Sequence, residues 1–160
     1  MEKRRSNLFN IIKALFFLGL FLSHPIIKSQ NYWINQAGNT GVDEALDISS
    51  DANNNNYTIG YFSNAISFGG TTLISYGIND CYVTKSDANG AYLWAIKLGG
   101  SNVDKGLSIK TDPEGNSLIC GLYSASATFG LFTLISEGLQ DGFIAKISPT
   151  GTVLWAKSVG

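Results

Sequence analysis

An all-β repeat fold follows from three features of this 160-residue chain: a unit that recurs every 61 residues, apolar and polar residues alternating with period two inside it, and turns rich in glycine and asparagine. Trp33, Trp94 and Trp155 are spaced by 61, and residues 33 to 93 lie on residues 94 to 154 without a gap and with 21 identities. Among these are Gly38 with Gly99, Val42 and Asp43 with Val103 and Asp104, Asp51 with Asp112, and Gly60 with Gly121. Phe68 and Gly69 match Phe129 and Gly130, "TLIS" occurs at 72–75 and 133–136, and Asp80, Lys85 and Gly90 match Asp141, Lys146 and Gly151. Chance does not supply such a set without gaps. A unit was duplicated, and both copies are expected to fold alike.

Within the unit, Leu46, Ile48 and Ser50 alternate with Asp47 and Ser49, the pattern of a half-buried strand, and "SDANNNN" at 50–56 turns the chain. "YTIGYF" at 57–62 and its counterpart "LICGLY" at 118–123 are almost continuously apolar, which predicts a central strand covered on both faces. "ISFGGTTLIS" at 66–75 reads as a small hairpin, and "DCYVTK" at 80–85, matched by "DGFIAK" at 141–146, is the next strand. "SDANG" at 86–90 then leads into "AYLWAIKL", and "SPTG" at 148–151 into "TVLWAKSV". Pro149 and Gly151 are placed for a tight turn that ends at positive φ.

Four principal antiparallel strands per unit, joined by short turns, describe one propeller blade. The expected boundaries are a leading strand at 32–37 and blades at 43–99 and 104–160. Two blades fall short of the roughly four to eight of a closed ring, so an incomplete propeller, a fragment of a larger repeat protein, is expected.

Composition agrees with a folded domain, since 44% of residues are hydrophobic and only 14% charged. Eleven basic and twelve acidic side chains give a net charge of -1. Without Lys3, Arg4, Arg5 and Lys13 the remainder is acidic and has no basic stripe, which argues against a nucleic-acid partner. Those four residues precede an apolar run at 14–22, and a polar stretch follows at 23–30, the order of a signal peptide. Residues 1–29 are read as that signal, cleaved near Ser29, with a secreted or cell-surface location for the mature chain. Nine apolar residues reach about 14 Å as a helix, roughly half of a hydrocarbon core, so no stable transmembrane segment is expected after processing.

The two cysteines sit at different repeat positions, Cys81 on Gly142 and Cys120 on Ile59, which excludes a repeated disulfide framework. Two small buried side chains are the expectation, and spacing leaves their pairing open.

The run "DGFIAKISPTGTVLWAKSVG" at 141–160, preceded by "GLSIKTDPEGNSLICGLYS" at 106–124 and "ATFG" at 127–130, resembles the SBBP-type β-propeller repeats of secreted bacterial proteins. The resemblance covers nearly all of the chain from Trp33 onward. It implies export and a propeller scaffold, and it carries no catalytic mechanism. The first copy departs from the pattern, with "QAGN" for "KLGG" and "DANNNN" for "DPEGNS", so roles for Asn53 to Asn56 do not transfer.

The tryptophans fit either sugar stacking or a filler between adjacent blades, and their constant repeat offset favours the filler. Asp43, Asp51, Asp80, Asp87, Asp104, Asp112 and Asp141 bear the oxygens that calcium takes, six to eight at a time. Near turns, however, such aspartates close the turn through its own backbone, and "DANNNN" lacks the terminal Glu of an EF-hand loop. His24, the one histidine, lies in the leader, so the mature chain has no imidazole acid, base or metal ligand. No catalytic, cofactor-binding or metal residue is therefore assigned, and no cofactor is expected. The reading is a noncatalytic exported module for extracellular or cell-surface binding and scaffolding, its protein or glycan partner open, with self-association through open blade edges. The alternative is a secreted carbohydrate-binding or carbohydrate-active protein that uses a propeller face.

Overall fold

The computed structural model describes residues 33–38 and 40–160. The chain divides into Met1–Asn31 and Tyr32–Gly160, and all described residues belong to the second unit. The leader read at 1–29, with His24, lies outside the described residues.

Twelve strands and no helix make up the described residues. The first blade is β1 (Asp43–Ser50), β2 (Asn56–Phe62), β5 (Asp80–Ser86) and β6 (Tyr92–Gly100), antiparallel and hydrogen-bonded in that order. Between β2 and β5 the chain makes the hairpin β3 (Ala65–Phe68) and β4 (Thr71–Ile74). The second blade repeats this as β7 (Lys105–Thr111), β8 (Ser117–Tyr123), β11 (Asp141–Ile147) and β12 (Val153–Val159), with the hairpin β9 (Ser126–Phe129) and β10 (Phe132–Ile135). The described residues are thus all-β, two propeller-like blades that do not close a ring.

The duplication extends to irregularities. One extra residue interrupts the first ladder of each blade, between Ala45 and Asp47 and between Gly106 and Ser108. The last ladder shifts at Lys85 and Ser86 and again at Lys146 and Ile147. A bulge reverses which residues face which side of a strand. This corrects the simple alternation read for β1: Leu46 and Ile48 are exposed, and Asp47 and Ser49 turn toward the second blade.

The turns follow their chemistry. Asp51 Oδ1 accepts hydrogen bonds from the Asn53 and Asn55 amides at 2.9 and 3.0 Å, and Asn54 takes positive φ, a conformation that Asn tolerates. Gly90 and Gly151 end "SDANG" and "SPTG", both at φ +84°, where a side chain would be strained.

The blades join face to face. Tyr57, Ile59, Cys81, Val83 and Leu98 of the first meet Ile109, Ile119, Phe143, Ala145 and Ile147 of the second in one buried cluster. Two further ties span the junction. The hairpin strand β9 pairs with Gly99 and Gly100 at the end of β6, and the Trp94 indole N–H donates to the Pro149 carbonyl at 3.0 Å. Trp33 makes the same contact one unit earlier, donating to the Ala88 carbonyl at 3.1 Å. The leading strand read at 32–37 does not form among the described residues: 33–38 carries no strand and is held to the first blade by side chains, Trp33 and Asn35.

Candidate functional site

Each blade has a front face, turned toward the preceding position of the array, and a rear face, turned toward the next. The junction shows what these faces do when paired. The rear face of the first blade and the front face of the second are both apolar and buried, with polar contacts between the blades beside them. Asp47 Oδ2 accepts from the Ser108 hydroxyl at 2.6 Å and the Ile109 amide at 2.9 Å, and these bonds hold its carboxyl below the usual range. Ser49 Oγ accepts the Thr111 amide at 3.0 Å.

The front face of the first blade has the same backbone and different chemistry. Moved back by 61 residues, Ile119, Phe143, Ala145, Ile147 and Val153 become Thr58, Tyr82, Thr84, Ser86 and Tyr92. Five apolar positions in the junction are five hydroxyl-bearing positions here. Ile48, the partner of fully buried Ile109, is 57% exposed. These residues line a cleft of about 380 Å³ on the first blade, with Phe68 beside them and Trp33 and Asn35 contributed by the 33–38 segment. Asp43 is the one charged lining residue among those described.

The rear face of the second blade shows the opposite departure. Val83 and Leu98, buried in the junction, correspond to Ile144 at 40% and Val159 at 55% exposure, and Tyr57 corresponds to half-exposed Leu118. The face keeps the apolar character of a junction surface and has no blade against it among the described residues.

The aspartates named from sequence are spread through both blades. Burial opposes the charged form of Asp51, yet hydrogen bonds from Asn55, Asn53 and Tyr57 outweigh it and lower its pKa, and Lys85 lies 3.7 Å away. Asp112 is likewise lowered, the bonds from Asn116 outweighing desolvation. Asp87 closes "SDANG" through the Asn89 and Ala91 amides, and Asp141 accepts the Glu137 amide. Asp80 and Asp104 meet around Gly99, where a Cβ would lie 2.6 and 2.8 Å from their oxygens. Lys97 pairs with Asp80 at 3.5 Å. Burial pushes Asp104 up to about 6, against the amides of Gly100 and Ser124 and with the help of Asp80. Among the described residues no three Asp, Glu, His or Cys side chains converge to hold a metal ion.

Trp94 fills the space between the blades, packed against the junction cluster with its indole N–H on the Pro149 carbonyl, and Trp155 is likewise partly buried. One expectation is corrected. Cys81 is buried with its thiol pKa raised by desolvation, whereas Cys120 is exposed and both thiols are free. Sequence reasoning missed the hydroxyl set. Its signal was present in the gap-free alignment, as mismatches that all fall on one face.

No helix among the described residues is long and apolar enough to cross a membrane. No family model matches the chain. It is similar to an uncharacterized WD repeat-containing protein of Acanthamoeba polyphaga mimivirus, 23% identical over 154 residues that cover 77% of this chain and 11% of that protein. With the strand order above, that similarity supports a β-propeller-like repeat module, and the chain spans about a tenth of its relative's length.

Proposed function

We propose that this chain is an exported, noncatalytic binding and scaffolding module of the SBBP repeat type, at work outside the cell or on its surface, whose second blade receives another repeat on its rear face. The observation that carries the reading is the register match between a buried junction and an open face: Val83 and Leu98 inside, Ile144 and Val159 outside. Apolar side chains arranged as half of an interface favour its other half. Export rests on the leader's charged, apolar and polar order.

One preparation tests both parts. The protein is expressed in a secreting host and collected outside the cell, then measured by intact mass and by light scattering across a concentration series. Loss of about thirty residues and a mass that climbs with concentration are expected. Full-length protein retained in the cytoplasm overturns export, and a monomer at every concentration overturns the pairing of the rear face.

A further inference from the structure

We propose that the cleft on the front face of the first blade is a binding site for a neutral saccharide. Its volume, about 380 Å³, lies in the range of small-ligand pockets, roughly 300 to 1,000 Å³. The floor is the feature that calls for a ligand. Thr84 and Ser86 are more than nine-tenths buried and line the cleft, and among the described residues no hydrogen bond engages their hydroxyls or those of Thr58, Tyr82 and Tyr92. None of these hydroxyl oxygens is a buried atom without a partner, so each is reached from the cleft and open to groups that enter from outside.

The chemistry of the lining narrows the occupant. Hydroxyls both donate and accept, as sugar hydroxyls do, and the Asn35 amide at the rim offers both functions again. Phe68, Tyr82 and Tyr92 supply aromatic surface for the C–H faces of a sugar ring, with Trp33 at the mouth, 40% exposed. The single charge is the Asp43 carboxylate, which disfavours phosphate, sulfate and other anions. A second copy docked by its rear face would set apolar Ile144 and Val159 against these hydroxyls, a poor match beside the apolar junction that the second blade makes. The proposal does not depend on what the rear face binds.

The test uses the repeat itself as its control. Cellobiose and maltose, neutral disaccharides of two linkages, are titrated into the whole chain by calorimetry and by tryptophan fluorescence. The same titration is run on Thr84→Ala/Ser86→Ile, which installs the residues of the second blade at matching positions, and on Tyr92→Phe, which removes one hydroxyl and keeps the ring. Saturable binding of at least one disaccharide is expected, tenfold or more weaker in the double variant and several-fold weaker in Tyr92→Phe, with neither melting temperature lowered. Absence of saturable binding to both sugars overturns the proposal. Equal binding by wild type and Tyr92→Phe does so as well, even where the double variant fails to fold. A wild-type oligomer that dissociates in the double variant without any response to sugar assigns the face to a second copy instead.

Discussion

The two front faces of this molecule share a backbone, including the placement of their bulges, and differ in what their side chains do. In the second blade the face is a hydrocarbon surface that disappears into the junction; in the first it is a hydroxyl-lined cleft beneath a short segment. A repeat fixes strand order and turn position through its glycines, aspartates and alternation, and leaves the outward side chains free to diverge. Function in such a protein is best sought where the copies disagree.

The comparison breaks most sharply at one aligned pair. Phe143 is buried in the junction, its ring 4.5 Å from that of Phe129, and Tyr82 holds the same position on the first blade. Phe143→Ala removes a ring that no neighbour replaces and is expected to cost about 3 to 5 kcal/mol. Tyr82→Phe removes only a hydroxyl without a protein partner among the described residues, and should change stability by less than about 1 kcal/mol. Urea melts of the three proteins measure both. A Phe143→Ala protein as stable as wild type would mean that the two blades do not fold as one packed unit.

A large part of this architecture is legible in the residues. "TLIS" with the glycines before it marks the hairpins, and the positive φ of Gly90 and Gly151 follows from their turns. Two matters were not legible. "YTIGYF" and "LICGLY" read alike, yet β2 is buried on both faces and β8 on one, because only β2 has covering groups both before and behind it. Hydropathy of a strand does not state how many neighbours it has. The bulge before Asp47 was the other: it inverts the facing of β1, and nothing local in "DEALDISS" announces an extra residue. The cleft was half legible, its five hydroxyl positions visible in the alignment and their common face visible only in the fold.

Acid sharpens the same comparison through Asp104, buried at the junction with its pKa raised to about 6. The folded protein binds this proton more tightly than the unfolded chain, so stability is lost as pH rises through the interval from about 4 to 6 and regained on acidification. From pH 7 to pH 5 the fold should gain about 1 kcal/mol, since the protonation of Asp104 is completed only below about pH 4. Asp47, Asp51 and Asp112 have lowered values and act oppositely, giving up their contribution as pH falls below the ordinary carboxylate range. A stability maximum near pH 4 to 5 is expected, from chemical melts at a series of pH values. Flat stability between pH 7 and 5 would show that Asp104 is not held in a low-dielectric junction.

The smallest effect expected separates the two tryptophans that occupy one register position. Trp94 meets Tyr57 edge-on at 5.9 Å and donates its indole N–H to Pro149 in the following blade, while Trp155 has no following turn among the described residues. Both rings are partly buried, so both lose some packing on truncation, and what differs is the bridge. A neutral hydrogen bond contributes about 0.5 to 1.5 kcal/mol and an aromatic pair a similar amount. Trp94→Ala should therefore cost about 1 to 2 kcal/mol more than Trp155→Ala, and Trp94→Phe, which keeps a ring and removes the donor, should recover about half of that difference. Equal losses for the two alanine variants would show that the ring matters to its own blade and not to the junction. A loss at Trp155 larger than that at Trp94 would mean that the rear face of the second blade is already paired in solution, and that Trp155 then makes there the contact Trp94 makes to Pro149.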